Sequence, residues 1–155
     1  MMNFFFAAAL TVGILAGAWT YGSLSFGMLT WAAFIPWASF FAAGGKAEGL
    51  KKAYAANLSG ILWGYVIVLI YGAMGNTTLG FSVGVAVGAA AMCIQARYIP
   101  WLSFIPGAFL GCAAYFAAKF DWKAVLLAIT IGAILAYCSE WGALKLSAST
   151  VESAE

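Results

Sequence analysis

Stretches without any charged residue constrain this chain more than any other feature of its sequence. Met1 to Gly45 and Ala53 to Ala96 contain no Asp, Glu, Lys or Arg, and each is roughly twice the ~20 apolar residues with which one helix crosses a bilayer. Two shorter charge-free runs, Tyr98 to Ala118 and Ala124 to Ser139, are each long enough for about one crossing. The four runs together predict an all-α membrane protein with six transmembrane helices.

The composition agrees with this class, because a chain that is 65% hydrophobic and 8% charged cannot cover a water-facing surface. Six spans in 155 residues leave only short connections and no room for a soluble domain. We therefore predict one transmembrane domain over residues 1–146, with halves at about 1–74 and 75–146, and a polar cytoplasmic tail over residues 147–155. The predicted spans are Asn3–Thr20, Ser25–Ala43, Tyr54–Ala73, Thr78–Ala96, Tyr98–Ala118 and Trp122–Trp141.

The basic residues predict the orientation of these spans. A cytoplasmic N-terminus places five of them inside, namely Lys46, Lys51, Lys52, Arg97 and Lys145, and leaves Lys119 and Lys123 outside. Because cytoplasmic loops carry an excess of Lys and Arg, both termini are expected in the cytoplasm. The net charge of +2 is too small to indicate a nucleic-acid partner.

The two halves of the chain resemble each other. Residues 34–40 (FIPWASF) recur as residues 98–104 (YIPWLSF), with five of seven positions identical. Gly13 and Gly17 likewise match Gly84 and Gly88. Because each half has three helices, an odd number, the second half would enter the membrane from the opposite side. The halves would then form inverted repeats, and the substrate sites of such repeats lie near the midplane at interrupted helices. The spacing drifts between 64 and 72 residues along the chain, and a competing alignment pairs residues 34–36 with residues 104–106. Chance similarity among apolar residues is the alternative.

Prolines and polar residues within the spans are candidates for a substrate pathway. A proline inside a membrane helix frees a backbone carbonyl that must find a partner or line a wet cavity. Ser hydroxyls and amides can supply hydrogen bonds to a solute, and indole rings can narrow a pore. Each residue type also has a common structural role: Ser bonds to its own helix backbone, Trp lies at the membrane interface, and amides link two helices. The candidates are Pro36, Trp37, Ser39, Asn57, Gln95, Pro100, Trp101, Ser103 and Pro106.

The glycine pairs Gly13/Gly17 and Gly84/Gly88 have the four-residue spacing that lets helix backbones approach closely. We interpret them as helix-packing positions. Six short helices with small-residue faces also favour a homo-oligomer in the lipid bilayer.

Several kinds of site have no signal in the sequence. The chain contains no His, and its acidic residues fall in predicted loops, in the tail or, for Glu140, near the end of the sixth span. Coupled carriers keep an ionisable group within the membrane, so a coupled exporter is disfavoured. Metal-ligand clusters, nucleophile–base pairs and nucleotide loops are also missing. We therefore predict no enzyme, no catalytic or metal-binding residues and no cofactor.

The repeated Ile-Pro-Trp element and the run SFIPGAFLG over residues 103–111 carry a resemblance over nearly the whole chain. In these features the chain resembles the YcdZ-like family of small bacterial inner-membrane proteins, a domain of unknown function. The resemblance implies a multi-pass protein of the bacterial inner membrane and supplies no substrate or catalytic residue.

These observations favour a channel or facilitator for a small neutral solute. One alternative is a non-transporting membrane protein that binds a partner or lipid through its glycine-rich helix faces. A coupled exporter of small hydrophobic compounds is the third hypothesis.

Overall fold

The computed structural model describes residues 3–152, with side chains up to residue 148. Every regular element in this part of the chain is helical, which confirms the predicted all-helical class. The α-helices are α1 (Phe4–Ser25), α2 (Phe34–Ala42), α3 (Lys46–Ala73), α4 (Thr78–Tyr98), α5 (Ile105–Ala117) and α6 (Trp122–Glu152), and 3-10 turns at Thr30–Ala33 and Pro100–Leu102 precede α2 and α5.

Four of these helices, α1, α3, α4 and α6, are long and apolar enough to cross a membrane. The other two are shorter. α2 has 9 residues and α5 has 13, which correspond to about 14 and 20 Å of helix against a hydrocarbon core of about 30 Å. Residues 3–152 therefore form four long helices and two short ones, and the predicted set of six membrane crossings is not confirmed.

The short helices are shorter than their predicted spans because turns and 3-10 segments occupy part of each span. The predicted span Ser25–Ala43 contains the end of α1, a turn with Gly27 at φ +64°, the 3-10 segment and α2. Glycine adopts this positive φ without a steric penalty. The residues of the turn are themselves largely apolar, so the charge-free run gave no sign of the break.

The prolines open the short helices and do not kink long ones. Pro36 lies in the first turn of α2, Pro106 is the second residue of α5, and Pro100 begins the second 3-10 turn. A proline costs little at these positions, because the first N–H groups of a helix have no partner within the helix. The prediction that these prolines lie within long spans and free a backbone carbonyl there is therefore corrected, because each proline lies in the first turn of a short element.

Both halves contain the same order of elements: a long helix, a 3-10 turn, a short helix and a second long helix. In each half a Trp is the second residue of the 3-10 turn, and a Phe-Ile-Pro sequence follows three residues later. Residues 31–36 therefore correspond to residues 101–106. This placement favours the alignment of residues 34–36 with 104–106 over the one that pairs the two Ile-Pro-Trp elements.

Each half packs mainly against the other half. α3 contacts α5 and α4, whereas α6 contacts α1 and α2, and α3 and α6 also touch each other. The contact between α3 and α5 is very close, since a Cβ added to Gly60 would meet the carbonyl oxygen of Ala108, and one added to Gly111 would meet that of Asn57. The centre of the bundle is thus closed by direct backbone contact.

α6 continues to Glu152, so much of the predicted tail over residues 147–155 is helical in backbone. Residues 153–155 lie outside the described residues.

Candidate functional site

A buried hydrogen-bonded group, which we call the polar junction, joins α2, α3 and α5. It consists of Ser39, Asn57 and Gly107. Asn57 on α3 is fully buried, and its Nδ2 donates to Ser39 Oγ of α2 at 3.2 Å and to the Gly107 carbonyl oxygen of α5 at 2.9 Å. Since Ser39 is also fully buried, one amide connects both short helices to a long one.

The second polar atom of the Asn57 amide has no partner. Oδ1 is buried without a hydrogen bond among the described residues. If the Asn57 amide were rotated by 180°, Oδ1 would face the Gly107 carbonyl oxygen and two acceptors would be in contact. The Gly107 carbonyl therefore fixes the orientation of the Asn57 amide. An unsatisfied buried acceptor costs about 1–3 kcal/mol. The polar junction therefore retains one buried acceptor that is free among the described residues.

Trp37 connects α2 to α6 close to this junction. Its indole is 4% exposed, and Nε1 donates to Ser139 Oγ at 3.2 Å. The Ser139 hydroxyl in turn donates to the Ala136 carbonyl oxygen at 2.7 Å. Because Trp37 lies two residues before Ser39, α2 is held by polar contacts to both of its long neighbours.

Gln95 belongs to a different polar group, between α3 and α4. Its Oε1 accepts from Trp63 Nε1 at 2.9 Å, and its Nε2 donates to Ser59 Oγ at 2.9 Å. Both ends of the amide are paired between two helices. The structure thus separates Gln95 from the polar junction, although the sequence places both in one predicted pathway.

The remaining pathway candidates divide by exposure. Pro36 is buried at the start of α2 beside Trp37. Pro100, Trp101, Ser103 and Pro106 are exposed at the 3-10 turn and the start of α5, and Trp101 is 63% exposed. Trp37 and Trp101 therefore occupy different environments.

The two predicted glycine pairs differ in their contacts. Gly84 and Gly88 are buried against α3, and a Cβ added to them would lie 2.9 Å from the Ile67 carbonyl oxygen and 2.7 Å from Ile67 Cδ1, respectively. Gly13 and Gly17 are exposed, and a Cβ added to either would meet nothing within 4 Å. Only the α4 pair packs within the described chain.

Several residues of the centre were not singled out from the sequence as site or packing residues. Gly60 and Gly64 on α3, and Gly107 and Gly111 on α5, form two facing pairs with four-residue spacing. The same Gly-x-x-x-Gly criterion identifies them. Ser139 had no comparable signal, because a serine in an apolar run is most often bonded only to its own helix.

Glu140 lies at the end of the bundle where α3 begins. Its Oε2 accepts a hydrogen bond from the backbone N–H of Lys46 at 2.7 Å, and a Cβ on Gly45 would meet its Oε1. The carboxylate is thus a helix cap supplied by a distant segment.

Three cavities on the surface are lined mostly by apolar side chains. They lie between α3 and α6, between α4 and α5, and beside Glu140, and none of the three is lined by a residue of the polar junction. The described residues also contain no group of three or more His, Cys, Asp or Glu that could hold a metal ion.

Comparison with known proteins identifies the family. Residues 9–144 match the family described as protein of unknown function (DUF1097), and because this match spans most of the chain, the chain belongs to that family. The resemblance stated from the sequence is thereby confirmed. No solved structure matches the chain.

Three relatives extend over nearly its whole length. Inner membrane protein YcdZ of Escherichia coli (strain K12) is 39% identical over 156 residues, covering 99% of this chain and 94% of that protein. Inner membrane protein YcdZ of Salmonella typhimurium (strain LT2) is 38% identical, covering 94% and 91%. Uncharacterized protein YahC of Escherichia coli (strain K12) is 36% identical, covering 97% and 98%. The chain is accordingly an integral inner-membrane protein of uncharacterised function.

Proposed function

We propose that this protein is a facilitator for the passive passage of a small neutral solute across the bacterial inner membrane, and that its described conformation is the closed one. The polar junction is the proposed constriction. In this proposal the two halves are inverted repeats, both termini are cytoplasmic, and α2 and α5 are the elements that move.

The free acceptor of Asn57 is the observation that carries the proposal. Its Oδ1 is buried without a partner at the meeting point of α3 and the two short helices. Leaving an amide oxygen unpaired in an apolar interior is costly, and interrupted helices at a repeat interface are the usual location of transport sites. A solute that donates a hydrogen bond would satisfy this atom.

The charges of the interior favour a neutral solute. Among the described residues, the buried polar side chains are Ser23, Ser39, Asn57 and Ser139, and none of them is ionisable in the physiological range. A charged solute would cross this interior without a compensating charge, at a large cost in solvation energy.

Passage requires the centre to open. Gly60 and Gly111 bring the backbones of α3 and α5 into direct contact, which leaves no space for a solute beside Asn57. The hydrogen bonds from Asn57 to Ser39 and Gly107 are the polar contacts that opening would break, and a donor group on the solute would replace part of the lost interaction.

Stopped-flow light scattering on proteoliposomes tests the proposal, with urea, glycerol and formamide as solutes. We expect entry of at least one solute to exceed that into protein-free vesicles. Asn57→Leu should remove the increase, because it deletes the free acceptor and the donor of the junction. Gly17→Ala, on the exposed face of α1, is the matched control and should retain full flux.

Equal entry rates with and without protein for all three solutes would contradict a facilitator. A flux that depends on a pH gradient and is lost in Glu140→Gln would instead support the coupled exporter.

The second candidate is a non-transporting protein that binds a partner or lipid through its helix faces. It is favoured by the exposed pair Gly13 and Gly17, where an added Cβ would meet nothing within 4 Å among the described residues. Self-association through this face would give the homo-oligomer expected from the sequence, and Gly13→Leu should then shift the protein to monomers in sedimentation-velocity measurements in detergent.

A further inference from the structure

We propose that a groove between α3 and α6 binds one acyl chain of a phospholipid whose anionic headgroup contacts Lys123. This α3–α6 groove encloses about 430 Å³ and is lined by Leu58, Ile61, Leu62, Tyr65, Trp122 and Leu126. The proposal does not depend on solute passage through the polar junction.

A hydrogen bond between α3 and α6 closes one end of the groove, and the other end is open. Tyr54 OH and Thr130 Oγ1 are hydrogen-bonded at 2.9 Å, which links α3 to α6 one helical turn beyond the lining residues Leu58 and Leu126. From there the lining continues along α3 to Tyr65, over about 10 Å of helix. Tyr65 and Trp122 are 48% and 51% exposed, so the groove has the form of an apolar slot that opens at these two residues.

An ammonium group lies at this mouth. Lys123 Nζ is 5.7 Å from the centre of the Trp122 ring, so a cation stands directly beside a lining residue. Trp and Tyr are enriched where the acyl region of a bilayer meets the headgroups, and a Lys near the membrane surface attracts anionic lipid. The nearby Asp121 carboxylate accepts from the Ala124 N–H at 3.1 Å at the start of α6, and it is not among the residues that line the groove.

A second Lys–Trp pair lies at the other end of α6, beside a cavity that differs from the α3–α6 groove in volume and charge. Lys145 Nζ lies 5.8 Å from the centre of the Trp141 ring, but the cavity lined by Trp141 holds only about 130 Å³ and includes the Glu140 carboxylate. A carboxylate repels an anionic headgroup. Charge and volume together therefore favour the α3–α6 groove, and they favour an anionic lipid over a zwitterionic one.

Native mass spectrometry of the full chain in detergent tests the assignment, with palmitoyl-oleoyl phosphatidylglycerol and palmitoyl-oleoyl phosphatidylcholine added in equal amounts. We expect one tightly retained phosphatidylglycerol per chain. Lys123→Gln should reduce the preference for phosphatidylglycerol about fivefold, the effect expected for one Lys near the headgroups. Lys145→Gln, which removes the other Lys–Trp pair, should leave the preference unchanged.

Filling the slot provides a separate test of the acyl-chain contact. Leu62→Trp places a large ring in the groove and should abolish the retained lipid, whereas Leu69→Trp, at a second exposed position on α3, should retain it. If Leu62→Trp fails to fold, the lipid preference of the unmodified chain and of Lys123→Gln still decides the headgroup assignment.

Three results would overturn the proposal: equal retention of the two lipids by the unmodified chain, unchanged retention in Leu62→Trp, or a lipid-free dimer that Leu62→Trp dissociates. The last would assign the groove to a second copy of the chain.

Discussion

Glu140 on α6 accepts a hydrogen bond from the backbone N–H of Lys46 at 2.7 Å, so the first residue of α3 is capped by a carboxylate from the opposite half of the chain. The preceding turn contains Gly44 and Gly45, both at positive φ, and neither offers a side chain as a cap. The carboxylate also has the sign that a helix N-terminus favours.

We expect Glu140→Ala to lower the free energy of unfolding by about 1 kcal/mol, the usual loss for a helix N-cap. Glu140→Gln should lose less, because its amide oxygen still accepts from the Lys46 N–H. Glu48→Ala, an exposed acidic residue in the first turn of α3, is the control and should lose less than Glu140→Ala. Unfolding in mixed micelles measures the three values, and equal losses for Glu48→Ala and Glu140→Ala would argue against the cap.

The close contact of α3 and α5 makes two glycines sensitive to a single added methyl. Gly60→Ala and Gly111→Ala should each destabilise the fold by about 1–3 kcal/mol, because the new Cβ meets backbone that cannot move aside. Gly17→Ala should be neutral or slightly stabilising, since Ala is the better helix former and nothing lies within 4 Å. Thermal unfolding in detergent gives the ranking, and no difference between Gly60→Ala and Gly17→Ala would contradict the contact.

The α4 glycines should differ from each other in the same assay. A methyl on Gly84 approaches the Ile67 backbone, whereas one on Gly88 approaches the end of the Ile67 side chain. We therefore expect Gly84→Ala to be the more destabilising change. Ile67→Val removes Cδ1 but keeps Cγ1, which lies 2.8 Å from the added methyl, so it should reduce the added cost of Gly88→Ala in part and leave that of Gly84→Ala unchanged. Strict additivity of Ile67→Val with Gly88→Ala would show that the Ile67 side chain does not determine the cost of Gly88→Ala.

The short helix α5 can be tested for a complete membrane crossing. In a chain with Cys93, Cys112 and Cys138 replaced by Ala, we expect a membrane-impermeant maleimide to label Asn76→Cys and Lys119→Cys in intact cells. Lys52→Cys and Arg97→Cys should react only after the cells are disrupted. Labelling of Asn76→Cys but not Lys119→Cys would mean that α5 returns to the side from which it enters.

The helical class of the fold could be predicted from the sequence because it depends only on how apolar a long segment is. The length of individual helices could not, since the residues around Gly27 are as apolar as the helices on either side. Whether a proline kinks a helix or begins one depends on where the preceding helix ends. Pro36 and Pro106 begin helices because turns end the preceding helices before them, and the charge-free runs do not reveal these turns.

The residue types of the candidate site could be predicted from the sequence, but their hydrogen-bond partners could not. Asn57 and Ser39 were both identified as polar residues in apolar segments, yet their hydrogen bond depends on the packing of α2 against α3. Gln95 has the same chemistry and pairs elsewhere. Equal spacing did not distinguish the exposed Gly13/Gly17 pair from the packed Gly60/Gly64 pair, because the difference lies in the neighbouring helix.

The packing of α1 against α6 has a consequence for biosynthesis. Because α1 is synthesised before α6, its main partner, α1 must remain in lipid without that partner until α6 has also been made. A chain that stops before Trp122 would leave α1 without its main partner and α2 without its contacts to α6, which makes such fragments natural targets for membrane quality-control proteases.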